Sequence, residues 1–96
     1  MAEHLIVIGS SVVALEIAQA YRRLGSDVTV LARHSLLYAQ DPMLGESLKL
    51  SFEAEGIEVY EHCEASTVGY ENELFTLTTD VGSVTGDRLL IGTGRH

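Results

Sequence analysis

The first third of the chain passes from an unbroken apolar run to a segment of helical period and back again. Leu5-Ile6-Val7-Ile8 has no polar interruption, the pattern of a strand covered on both faces in a parallel sheet. Val13, Ile17, Ala20 and Leu24 then recur at helical spacing, with Ala14, Ala18 and Tyr21 beside them. Gly25 stands where a left-handed C-terminal cap belongs. Asp27 to Ala32 reads as a second strand. Asp41-Pro42 supplies an N-cap and a first-turn proline for a helix that runs to about Glu55 and is ended by Gly56. Its apolar stripe is Leu44, Leu48 and Phe52, weakened by Gly45. Ile57 to Glu61 predicts a third strand.

Further along, the pattern changes. Segments 65–70, 74–79 and 83–85 are rich in Thr and Val and are separated by Glu71-Asn72-Glu73 and Asp80-Val81-Gly82, which predicts a small antiparallel meander. Arg88-Leu89-Leu90-Ile91 returns as an apolar strand and runs into Gly92-Thr93-Gly94-Arg95. No repeat, linker or low-complexity segment interrupts this order. It predicts an α/β fold over 1–96: a single Rossmann-like, three-layer domain with a central parallel sheet and a small antiparallel β-meander.

Composition narrows the function classes. With 96 residues, 46% hydrophobic and 21% charged, the chain suits one globular domain and not a disordered tail. No apolar run approaches the roughly 20 residues of a membrane span, and the start lacks the basic flank of a signal peptide. The single cysteine, Cys63, cannot close an internal disulfide, so a reducing cytoplasm is the expected compartment. Charge is divided unevenly. In residues 1–40, Arg22, Arg23 and Arg33 balance Glu3, Glu16 and Asp27; beyond them Lys49, Arg88 and Arg95 face eleven acidic residues, which accounts for the whole net charge of −8. That acidic half would repel a nucleic-acid backbone, while the neutral half leaves an anionic small molecule unopposed.

The neutral half also carries the candidate chemistry. A strand that enters Gly9-Ser10-Ser11-Val12-Val13-Ala14 and then a helix is the arrangement that cradles a pyrophosphate. A small residue permits the turn, and the unpaired N–H groups of the helix start meet the anion. Gly9 occupies the turn and Ala14 the close helix–strand contact, while Ser11 stands where the pattern usually has its second glycine. Its hydroxyl either donates to the phosphate or holds it off. Gly9, Ser10, Ser11, Val12, Val13 and Ala14 are the candidate cofactor contacts of this turn. At the end of the second strand an NAD-binding or FAD-binding unit usually places a carboxylate for the adenosine ribose; here stand Ala32-Arg33-His34-Ser35. A guanidinium clamps a 2′-phosphate bidentately, so Arg33, helped by His34 and Ser35, favours NADPH over NADH.

The run from Val7 to Ala20 resembles the NADPH-binding segment of the mercuric reductases, which belong to the FAD-dependent pyridine nucleotide–disulfide oxidoreductases. Gly25 to Arg33 and the closing Leu90-Ile91-Gly92-Thr93-Gly94-Arg95 are similar as well, so the resemblance covers essentially the whole chain. It implies roles residue by residue. Glu16 matches the helix glutamate beside nicotinamide and flavin, Ala65 lines the adenine pocket, and Gly94 contacts the cofactor where the chain turns back toward the flavin domain. Gly92 departs from the usual alanine.

The resemblance further implies a redox-active cysteine pair, an FAD domain and an interface domain, none of which these residues contain. Cys63 has no cysteine partner, His62 beside it does not make a zinc site, and no nucleophile–base–orienter set is visible. The chain is therefore expected to be the NADPH domain of a larger flavoprotein, excised or naturally short, and to bind cofactor without turnover. It is expected to self-associate weakly through apolar surface that meets the flavin domain. A stand-alone NADPH-binding regulatory or interaction module and a vestigial oligomerisation piece remain open; the missing carboxylate at 32–33 argues against a methyltransferase.

Overall fold

A computed structural model of the chain describes residues 3–9, 12–33, 42–80 and 82–92. The uninterrupted run becomes strand β1 (His4–Ile8), and α1 (Val12–Arg23) leads to β2 (Asp27–Leu31). Then come α2 (Pro42–Ala54), β3 (Glu58–Tyr60), β4 (Ala65–Glu71), β5 (Leu74–Thr79), β6 (Gly82–Gly86) and β7 (Arg88–Ile91). Four strands form a parallel sheet in the order β3-β2-β1-β7, and β4-β5-β6 form a separate antiparallel sheet.

Why β1 needs no polar alternation is visible in its two faces. Leu5 and Val7 pack with Val28, Val30, Ala14, Leu15, Ala18 and Phe52 on the helix side. Ile6 and Ile8 pack with Leu31, Cys63 and, from the meander, Phe75, Leu77 and Val84 on the other. The parallel sheet is thus the middle of three layers, and the expected Rossmann-like α/β fold with its meander is the fold observed.

One part of the sequence reading is corrected. The buried stripe of α1 is Ala14, Leu15 and Ala18, with Ile17 and Tyr21 partly covered. Val13 and Leu24, each 64% exposed, lie outside it, as does Ala20. The helix is apolar on nearly every side, so period alone did not choose the face; small alanines let the helix approach the sheet closely. In α2, Phe52 is buried and Leu48 half-buried, as the stripe requires, while Asp41, the side chain of Leu44 and the surroundings of Gly45 lie outside what is described. Cys63, read as strand-like, sits between β3 and β4, buried, with its N–H donated to Ala32 O at 2.8 Å. Desolvation pushes its thiol pKa up.

Both helices end in the same way. Gly25 (φ 105°) and Gly56 (φ 92°) take left-handed backbone conformations, and the paired bonds Ser26 N–H to Tyr21 O and Gly25 N–H to Arg22 O recur as Ile57 to Phe52 and Gly56 to Glu53. Arg22 joins these two ends: its Nε donates to Glu55 O at 2.7 Å and its Nη1 to Ser26 O at 3.3 Å. The Glu55 carboxylate accepts from Arg23 and Gln19, which hold its pKa below the usual value. At the start of the sheet, Asp87 accepts from the backbone N–H groups of His4 and Glu3, and these bonds likewise lower its pKa.

Those two depressed carboxylates set a pH dependence. A folded-state pKa below the unfolded one contributes stability above the unfolded value and loses it as pH falls through the folded value. Denaturation midpoints are therefore expected to hold steady down to about pH 5 and to drop below about pH 4, the ordinary carboxylate range. An Asp87→Asn variant is expected to show a shallower drop in the same pH series; an unchanged slope would discount the clasp.

The β4–β5 hairpin closes on Asn72-Glu73, both at positive φ (55° and 65°), between the paired Glu71 and Leu74. This is a two-residue turn of the primed type, whose second position suits glycine. Glu73→Gly is expected to stabilise the protein by about 0.5–1 kcal/mol, seen as a higher urea midpoint.

Candidate functional site

The parallel strands all point their C-terminal ends to one edge. β1 lies between β2 and β7, so the chain leaves it toward one neighbour and returns beside it on the other. A crevice opens at such a reversal, and ligands of open α/β sheets bind there. Gly9, immediately after β1, has φ 117°, a conformation that disfavours any side chain, and its N–H donates to Leu31 O at 2.9 Å. Gly92, after β7, donates its N–H to Ile8 O at 2.7 Å. Two glycines thus flank the end of β1.

The start of α1 opens onto this edge. Val12 and Val13 are exposed, whereas Ala14 is buried against the sheet, so the first turn carries apolar side chains outward and a methyl group inward. Glu16 is exposed on the next turn. With Val12, Leu15, Gln19, Leu48 and Phe52 it lines a recess of about 200 Å³ between α1 and α2. Ser10, Ser11, His34 and Gly94, and with them Ser35 and Arg95, lie outside the described residues.

On the far side of β2, Arg33 is exposed and directs its Nε to Glu64 Oε2 at 3.4 Å. Glu64 precedes Ala65, and the two line an open recess of about 460 Å³ with Ser66, Thr79 and Asp80. The β2 end and the β4 start, 31 residues apart in the Arg33–Glu64 numbering, therefore meet at one place. This sets Arg33 beside Glu64, which lines the recess that Ala65 borders, and it does not bring Glu16 there, since Glu16 lies on the α1–α2 side. The sequence reading missed Glu64 and Asp80. Only the adjacency of Glu64 to Ala65 could have pointed to one of them, because the ion pair is made by the path of the β3–β4 connection.

The arrangement suits an extended, anionic nucleotide: a glycine turn and a helix start at the crevice for phosphates, a small residue beside a recess for a flat ring, and a guanidinium at the rim for one more anion. Among the described residues no group of three or more His, Cys, Asp or Glu side chains could hold a metal ion, and no helix is long and apolar enough to cross a membrane.

Comparison with known proteins gives consistent matches. The family model described as pyridine nucleotide-disulphide oxidoreductase matches residues 1–96. The mercuric reductase of Shewanella putrefaciens is 62% identical over 94 residues, which is 98% of this chain and 17% of that protein. Among solved structures, the water-forming NADH oxidase of Lactobacillus brevis bound to NADH matches with a TM-score of 0.88 at 21% identity, over 97% of this chain and 21% of that one. Its engineered NADPH-oxidase mutant, bound to NADPH, matches with a TM-score of 0.90 at 24% identity over the same shares.

Proposed function

Because this chain belongs to the pyridine nucleotide-disulphide oxidoreductase family, we propose that it binds NADPH along the C-terminal edge of its parallel sheet and holds the nicotinamide for hydride transfer to FAD. The FAD would sit in another part of the same flavoprotein, since the chain spans 17% of the length of its mercuric reductase relative. The observation that carries the cofactor choice is Arg33, an exposed guanidinium at the end of β2 where no carboxylate follows the strand.

The residues divide the work by chemistry. Gly9 gives the pyrophosphate access to the backbone, Val12, Val13 and Ala14 begin the helix that meets it, and Ser10 and Ser11 would contact it between them. Ala65 borders the adenine, its methyl leaving the recess open. Arg33, with His34, takes the 2′-phosphate. Gly94 meets the cofactor beyond β7. Glu16 lies beside the nicotinamide, where its carboxylate orients the ring. When bound, the nicotinamide supplies the hydride; the chain supplies position.

One comparison supports Arg33 specifically. The engineered oxidase bound to NADPH carries, among five substitutions, an adjacent Asp-to-Ala and Ala-to-Arg change, and the oxidase bound to NADH lacks them. Ala-Arg is the dipeptide at 32–33 here. Calorimetric titration of the purified protein with NADPH and NADH at fixed salt tests the reading. Tighter binding of NADPH is expected, and equal or tighter binding of NADH would overturn it.

A further inference from the structure

We propose that Glu64 is a specificity-determining residue that restrains the NADPH preference, by occupying Arg33 and by repelling the 2′-phosphate that Arg33 would bind. This rests on the cofactor reading above. The usual carboxylate is missing from the end of β2, yet the fold returns one to the same place from the β3–β4 connection, with Glu64 Oε2 3.4 Å from Arg33 Nε. The position in space is therefore filled, although the position in sequence is not.

Three features give the pair its effect. Both side chains are about two-thirds exposed, at 69% and 67%, so the contact is held weakly and exchanges readily for another anion. Arg33 is engaged through Nε, an edge of the guanidinium that a phosphate could share. Asp80 lines the recess that Glu64 borders, so a dianion that reaches Arg33 past Glu64 meets the Glu64 carboxylate directly and has a second carboxylate on the same recess. NADH carries no 2′-phosphate and avoids that repulsion. Glu64 thus narrows the gap between the two cofactors instead of widening it.

The test compares the wild type with Glu64→Gln, Arg33→Ala and the double variant, each titrated with NADPH, with NADH and with adenosine 2′,5′-bisphosphate. Glu64→Gln is expected to bind NADPH and the bisphosphate about 5-fold more tightly, the scale of a charge repelling a dianion across solvent at short range. NADH affinity is expected to change less than about 2-fold, and the gain should shrink as salt rises from 10 to 150 mM through screening. In the Arg33→Ala background the gain should be smaller, the sign of coupling between the two positions. If NADPH preference is present and falls in Arg33→Ala while Glu64→Gln binds NADPH no more tightly, the role of Glu64 is overturned and the cofactor reading stands. If the wild type shows no preference for NADPH, both are overturned.

Discussion

Replacing Phe52 with alanine is expected to remove about 3–5 kcal/mol of stability, the range for truncating a buried aromatic residue. Phe52 is 1% exposed and is the largest fully buried side chain among the described residues, contributed by α2 to the core shared with Leu5, Val28, Val30 and Ile57. A single domain has about 5–15 kcal/mol in all, so the loss is a large share of the total. Leu50, on the same helix and 62% exposed, serves as the control. Leu50→Ala is expected to shift stability by no more than about 0.5 kcal/mol. Urea denaturation of the two variants decides the matter; comparable losses would mean that α2 does not seat on the sheet through Phe52.

Arg33→Ala is expected to weaken NADPH binding about 10- to 100-fold, the equivalent of losing charge-assisted hydrogen bonds to a phosphate. NADH should be affected less than about 3-fold, so the preference disappears and general binding does not. Arg33→Lys should fall between, since an ammonium supplies charge without the planar fork. Calorimetric dissociation constants for both cofactors separate these outcomes. Parallel losses for NADPH and NADH would place Arg33 in general anion attraction and remove it from 2′-phosphate recognition.

How much of this was legible in the sequence differs from element to element. The run at 5–8 announced its two covered faces by lacking polar positions, and Gly25 and Gly56 marked helix ends because left-handed backbone strongly favours glycine. The meander was readable from its turns. The face of α1 was not, since Val12, Val13 and the following Leu24 are apolar yet exposed. Packing chose the alanines. For the candidate site, local chemistry placed Gly9 and Arg33 at strand ends, but the pairing of Arg33 with Glu64 depends on where the connection after β3 passes. Pattern along a chain reports neighbours on one element, and a carboxylate delivered from another element leaves no local trace.

The clasp between His4 and Asp87 spans 83 residues, and β7 completes the sheet against a strand made near the start of the chain. The hairpins of the meander and the β1–α1–β2 unit close over short separations, whereas β1 and β7 must find each other across most of the molecule. Contacts of long sequence separation slow folding more than they weaken the folded state. The crevice beside Gly9 and Gly92 is therefore expected to be the last region to take shape during refolding, with nucleotide binding lagging behind the recovery of far-ultraviolet circular dichroism. On the NADPH reading proposed above, capture of the nucleotide would report that β7 has docked against β1.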